Sequence, residues 1–388
     1  VISSFYNFNL NRKMVFKSEE GYGTTMVRYY ALCVVQMLAS AGLTTLVKSF
    51  VPGGAGVATV CKACVDTFLF VISYDGDDAY VSRLTDIDPQ FCMYDFEGIS
   101  NIAGCDTNNS PLPSTIRWEV DTPAYEDYAH SFNIVKSNML AGNSYLANLT
   151  CRVPIRCNLS IYDIFAHSKG KYKLLLRGEK KQGKRFVCFS PESFLRIRNG
   201  RIYSYPMKGT IDASLPNAGQ ELINDKKEAA EHATIVDLIR NDLSRVATDV
   251  RVDKYRYIDT LYTNKGDILQ TSSEISGLLP DNYSEHLGEI IAAQLPAGSI
   301  TGAPKKKTIE IINEAEGYDR GFYTGVMGIF SNGELNSAVM IRFVEEDKQG
   351  IVFKAGGGIT AKSDCRKEFE EVLQKIYLPI AVDKVAGT

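Results

Sequence analysis

Apolar residues fall into two rhythms along this chain. Phe68-Leu69-Phe70-Val71-Ile72-Ser73-Tyr74 is an apolar run cut off at Asp75-Gly76-Asp77, which predicts a strand. Turn-bounded strands recur from there to about Trp118, and Phe186-Val187-Cys188-Phe189 is another short apolar strand. Phe194 to Arg198 alternates up to Asn199-Gly200 and Arg201 to Tyr205 alternates away from it, the strongest short-range hairpin signal. A second hairpin is predicted where Tyr323 to Phe330 and Leu335 to Val344 flank Ser331-Asn332-Gly333. Helical spacing governs four other stretches: Tyr125 to Met139, opened by Asp121-Thr122-Pro123 and stopped at Gly142, then Gln220 to Arg245, Lys305 to Glu316 and Ser363 to Ile376. Strands and helices come in blocks without a sustained βαβ rhythm. The fold class expected is α+β, a large, mostly antiparallel sheet sandwich with flanking helices.

Composition narrows the functional classes. The chain has 388 residues, 43 Lys and Arg against 46 Asp and Glu, and a formal charge of −3. Without a clustered basic face, a nucleic-acid partner is not expected. The apolar stretch Met26 to Val51 is interrupted by Arg28, Gln36 and Lys48, so no membrane span is expected either. Nine cysteines at irregular spacing argue for plain thiols in a reducing compartment, with the cytoplasm as the default location. Residues 1–60 show no readable organisation, residues 61–388 are expected to form one catalytic domain, and Gly104 to Ser114 is a linker candidate.

Several constellations could carry chemistry. Glu228 and Glu231 lie three apart on one predicted helix, and Glu368 and Glu371 lie three apart on another. Each pair places like charges on one helical face, which suits a hard cation such as Mg²⁺ between them. The same residues could equally be solvated faces neutralised by Lys226, Lys227, Lys367 and Lys375. Gly298 to Lys305 is a Gly-rich turn entering a helix, either a structural turn or an anion site at the helix N-terminus. Gly356-Gly357-Gly358 follows the strand Ile351 to Lys354, as a flexible turn or as exposed N–H groups for an anion. Arg342, set into the apolar strand Val339 to Phe343, suits a carboxylate or simply faces outward. Lys208, in Pro206-Met207-Lys208-Gly209-Thr210, could serve as a nucleophile only when neutral.

Taken together and in order, these segments resemble the chorismate-utilising enzymes, a family that includes anthranilate, aminodeoxychorismate, isochorismate and salicylate synthases. The resemblance rests on Ala230 to Asp242, the Gly298 to Lys305 turn, Ile341-Arg342, Gly356 to Gly358, and Glu368 with Glu371. It implies that Glu228, Glu231, Glu368 and Glu371 hold Mg²⁺, which binds the ring carboxylate of chorismate. By the same resemblance Tyr323 and Arg342 hold the enolpyruvyl carboxylate with the backbone of Gly356, Gly357 and Gly358. Thr210, Thr301, Gln270 and Lys375 line the same pocket, Gln270 standing where the family usually has His.

Lys208 selects the branch. Anthranilate synthases have Ala in the matching motif, whereas aminodeoxychorismate synthases typically have Lys. The resemblance to that branch implies that Lys208 attacks C2 of chorismate, that Glu192 protonates the departing C4 hydroxyl, and that ammonia then adds at C4. Ammonia is expected from a separate glutamine amidotransferase subunit, and the product leads toward para-aminobenzoate and folate. Leu146 stands where isochorismate synthases have a lysine base, so water addition is not expected. The competing readings are the large component of anthranilate synthase and a non-catalytic interaction subunit of an amidotransferase complex.

Overall fold

The computed structural model describes residues 67–102, 112–178, 185–263, 266–378, 380 and 385–386. The segment 1–60, Cys61, Cys64 and most of the Gly104 to Ser114 linker lie outside the described residues.

Two large sheets organise these residues. In the nine-stranded sheet the order is Met207–Asp212, Gly266–Leu278, Arg201–Ser204, Ser193–Arg198, Glu334–Val339, Val326–Ser331, Phe68–Ile72 and Ala79–Arg83, with Thr248–Thr263 also paired to Gly266–Leu278. The ten-stranded sheet runs Val385–Ala386, Ile116–Val120, Leu146–Cys157, Gly350–Thr360, Phe343–Asp347, Arg185–Ser190, Tyr172–Arg177, Cys92–Phe96 and Ile99–Ser100, with Gly302–Ala303 paired to Leu146–Cys157. Pairing among the described residues is antiparallel except between Val385–Ala386 and Ile116–Val120. Helices α1 (Tyr125–Leu140), α2 (Ile161–His167), α3 (Ala218–Asn224), α4 (Lys226–Leu243), α5 (Leu287–Gln294), α6 (Lys305–Glu316) and α7 (Cys365–Gln374) flank the sheets.

The apolar run at the start of the described chain explains the layering. Leu69 and Val71 join a core with Tyr94, Leu174 and Phe186 of the other sheet, whereas Phe68, Phe70 and Ile72 pack under α4 and α5. All five positions are buried, so a continuous apolar string is what a strand covered on both faces requires. A third core, around Val135, Ile164, Ile311 and Phe369, seats α1, α2, α6 and α7 on the outer face of the ten-stranded sheet.

Both predicted hairpins form, each with two positive-φ residues at its tip: Asn199 and Gly200 (50° and 71°), Asn332 and Gly333 (51° and 78°). Four expectations change. The predicted helix from 220 to 245 is two helices, because Asp225 is extended and its Oδ1 accepts from the N–H groups of Lys227 (2.7 Å) and Glu228 (2.9 Å), capping α4. Helix α1 begins at Ala124 without a side-chain cap, and Asp121, three residues earlier, pairs with Arg156 at 2.8 Å. Arg342 is not within a strand: the chain leaves one sheet at Val339 and enters the other at Phe343, and Arg342 makes the crossing at φ 56°. Gly356 to Gly358 is not a turn, because the strand Gly350–Thr360 continues straight through it.

Candidate active site

The site begins with a bulge. On the strand Met207–Asp212, Lys208 pairs with Thr271 and Thr210 with Gln270, so Gly209 is an extra residue, at φ 78°. A Cβ at Gly209 would lie 2.9 Å from Glu228 Oε2, so glycine here lets the first turn of α4 approach the strand. The cap at Asp225 sets the phase of that turn, and Lys208 Nζ meets Glu231 Oε2 at 3.0 Å. Lys227 Nζ lies 3.7 Å from the other Glu231 oxygen. Burial disfavours the Lys208 ammonium, but Glu231, and after it Glu228 and Glu371, outweigh burial and raise its pKa. Burial holds the Glu228 carboxyl above its ordinary value, the Glu231 charge adding to the shift against the pull of Lys208.

Opposite Lys208 runs the glycine strand. Gly356 pairs with Thr150 and Gly358 with Asn148. The N–H of Thr150 goes to Glu316 Oε1 (2.7 Å) and that of Asn148 to the Thr301 carbonyl (2.9 Å), away from the glycines. These are therefore the wide pairs of the ladder, and the amides of Gly356 and Gly358 point to the strand's other edge. That edge is open among the described residues, because Phe343–Asp347 stops opposite Lys354. Gly357 points the other way in this alternation, so Gly356 and Gly358, not Gly357, offer N–H groups to an anion. A Cβ at Gly358 would stand 3.3 Å from Lys208 Nζ, and one at Gly357 would stand 3.8 Å from Glu368 Oε2. Lys375 spans this segment, donating to the Gly356 carbonyl (3.1 Å) and pairing with Glu371 Oε1 (2.8 Å). For Glu371, burial is overcome by Lys375 and Lys208, and its carboxyl sits below the ordinary range. Glu368 is buried, and that burial pushes its carboxyl up, with Ser363 pulling it down and Glu371 adding to the rise.

Glu192 completes the charged set. Its carboxyl is set deep among protein atoms although the residue keeps some exposed surface, and burial raises its pKa. Ser299 Oγ donates to Oε1 at 2.6 Å and, with the charges of Arg342, Lys208 and Lys375, opposes that rise. Arg342 Nε donates to Tyr377 Oη at 3.3 Å, and its guanidinium stands over the Tyr377 ring at 5.5 Å. Thus Lys208, Glu192, Arg342, Lys375 and the four glutamates influence one another's charge across the space between Met207–Asp212 and Gly350–Thr360.

The remaining expected residues are placed unevenly. Thr301 is fully buried with its hydroxyl given to the Ala297 carbonyl (2.9 Å), and Thr210 is exposed. Tyr323 is 3% exposed and packs its ring on Phe343 at 5.8 Å within the core between the sheets, near Arg342. Gln270 presents a buried Oε1 without a hydrogen-bond partner among the described residues. The Gly298 to Lys305 turn works as a clasp: Gly302 and Ala303 pair with Leu146 and Ala147, and a Cβ on Gly302 would fall 1.9 Å from the Leu146 carbonyl oxygen. Sequence reasoning missed Asn148, Ser299 and Tyr377, and it missed the buried pair Glu316 and Arg320 behind the glycine strand.

No three Asp, Glu, His or Cys side chains among the described residues stand close enough together to hold a metal ion as they are. The chemistry of the donor set nevertheless suits one: Glu228 and Glu368 are carboxyls whose burial is only partly offset by Lys208 and Lys227, so a cation between the two helices would supply the charge they lack. No helix among the described residues is long and apolar enough to cross a membrane.

The two-sheet α+β sandwich brings cations, backbone amides and two glutamate pairs to the space between its strands, an arrangement suited to a small anionic ligand. The chain belongs to the chorismate binding enzyme family, whose sequence pattern matches residues 86–380. It is 45% identical to an "Uncharacterized PabA-like protein" of Haemophilus influenzae over 81% of this chain and 92% of that one. Identity to aminodeoxychorismate synthase component 1 of Salmonella typhimurium is 31%, covering 68% of this chain and 54% of that protein. Among solved structures, anthranilate synthase component I from Streptococcus pneumoniae superposes with a TM-score of 0.57 at 25% identity, over 68% of this chain and 59% of that one.

Proposed function

We propose that this chain aminates chorismate at C4 with ammonia, giving 4-amino-4-deoxychorismate. The observation that carries the reading is Lys208, whose Nζ lies 3.0 Å from Glu231 and beside Gly358, with Glu192 in the same electrostatic field. Chorismate is a dianion, and Arg342, Lys375 and the amides of Gly356 and Gly358 are suited to its carboxylates. Neutral Lys208 bonds to C2, both ring double bonds shift (C1=C2 to C1=C6 and C5=C6 to C4=C5), and the C4–O bond breaks. Glu192, whose carboxyl burial pushes toward the protonated form, gives its proton to the departing hydroxyl, which leaves as water. Ammonia then bonds to C4, the C2–N bond to Lys208 breaks, and Lys208 carries away the proton that ammonia loses. The balance is chorismate plus ammonia to aminodeoxychorismate plus water.

In this structure Lys208 is held as an ammonium by its glutamates, and the reaction needs it neutral. Glu228, Glu231, Glu368 and Glu371 would hold Mg²⁺, which would supply positive charge beside the substrate's ring carboxylate and weaken the hold of these glutamates on Lys208. A separate glutamine amidotransferase subunit would deliver ammonia, and the cytoplasmic route to para-aminobenzoate and folate is the setting this chemistry fits. Purified protein given Mg²⁺, ammonium and chorismate should form aminodeoxychorismate, read by mass spectrometry. Release of anthranilate with pyruvate would assign the chain to anthranilate synthesis instead.

A further inference from the structure

Asn148 is a polar residue in this site without an assigned role. It lies on Leu146–Cys157 opposite Gly358, and by the period of two its side chain shares a face with Leu146, Thr150, Gly356 and Gly358. Lys208 Nζ stands at that face, 3.3 Å from where a Gly358 Cβ would be, and Leu146 Cδ1 is 3.5 Å from the same point. The Asn148 backbone is fixed from both ends: its N–H reaches the Thr301 carbonyl (2.9 Å) and its carbonyl accepts from Arg320 Nη2 (2.6 Å). Its Oδ1, by contrast, is buried without a hydrogen-bond donor among the described residues. A Cβ at Gly356 would come within 3.0 Å of that oxygen, so glycine at 356 leaves it room. A buried acceptor left unmatched on a rigid strand is costly unless a ligand supplies the donor.

We infer that Asn148 Oδ1 receives the ammonia that attacks C4, a role that rests on the amination reading above. An uncharged carbonyl oxygen accepts an N–H of ammonia while leaving its lone pair free. A carboxylate at this position would favour ammonium, which has no lone pair to give. Leu146, two residues earlier on the same face, supplies no group that could hold or activate water in ammonia's place.

The test is ammonium saturation at fixed chorismate, with the reverse titration, for wild type, Asn148→Leu and Asn148→Ser. Loss of one hydrogen bond to a bound ammonia should raise the KM for ammonium about tenfold in Asn148→Leu. The KM for chorismate should stay within about twofold, and Asn148→Ser, which keeps an acceptor oxygen, should recover part of the loss. An unchanged KM for ammonium in Asn148→Leu, or an equal rise in both KM values, overturns the assignment. Absence of any ammonium-dependent product from wild type removes the amination reading itself, and this role with it, an outcome separate from the other two.

Discussion

Two ion pairs lie on the two sides of the glycine strand, and they are built for opposite purposes. Arg320 and Glu316 are both 2% exposed in their side chains. Arg320 gives Nε and Nη2 to the two Glu316 oxygens (2.8 and 2.5 Å), Nη1 to the Ile300 carbonyl and Thr324 Oγ1, and Nη2 to the Asn148 carbonyl. Glu316 in turn accepts from Thr150 N–H. The pair ties the end of α6, the clasp and the strand opposite the glycines into one body. Lys208 and Glu231 are 26% and 11% exposed and meet at 3.0 Å, with Lys227 competing for the same carboxylate. A fork with its donors engaged cannot be reassigned cheaply, whereas a point charge on a flexible stem can be released to substrate. The charge of Arg320 and Glu316 is saturated and buried, and that of Lys208, to which the proposed amination assigns the chemistry, is left under-committed.

That contrast orders the expected effects. Arg320→Met should be the most damaging to the fold, because it strands Glu316 without its partner. A loss of about 3–5 kcal/mol in denaturant unfolding is expected. Lys208→Ala should cost clearly less stability than Arg320→Met, because Lys227 stays 3.7 Å from Glu231, yet abolish product formation, which a melt and a product assay on one preparation would check. If the two variants lost stability equally, the distinction between the pairs would fail. Smaller effects should appear at Glu192. With burial raising its pKa, Glu192 acts as the acid below that value, and the rate should fall as pH rises through it. Glu192→Gln should remove this alkaline limb along with most activity. Ser299→Ala deletes the hydroxyl that donates to Oε1 and opposes the rise, so the limb should move to higher pH with only a modest loss of rate.

The sequence made the hairpins legible because Asn-Gly between alternating runs has a local cause, and the structure shows the positive φ values at both tips. It also made the glutamate pairs legible, since i,i+3 spacing is a property of one helix. Asp225 misled the reading of α4, because a helix cap inside a long amphipathic stretch looks like one more polar residue until its side chain is seen to accept two backbone N–H groups. Arg342 reads as a strand residue, since what removes it from both sheets is a crossing between strands that neighbour different partners. Glu316 and Arg320 look like a surface pair past the end of a helix, and their burial depends on strands remote in sequence. Asn148 hid for the same reason: its meaning lies in which groups do not reach its Oδ1, and no local pattern records that.

The covalent role of Lys208 can be tested by intact-protein mass after rapid quenching with Mg²⁺ and chorismate in the absence of ammonium. Wild type should gain the mass of chorismate less one water, on Lys208 by peptide mapping, and Lys208→Ala should gain nothing. Undiminished aminodeoxychorismate formation by Lys208→Ala, with no adduct on wild type, would contradict the account.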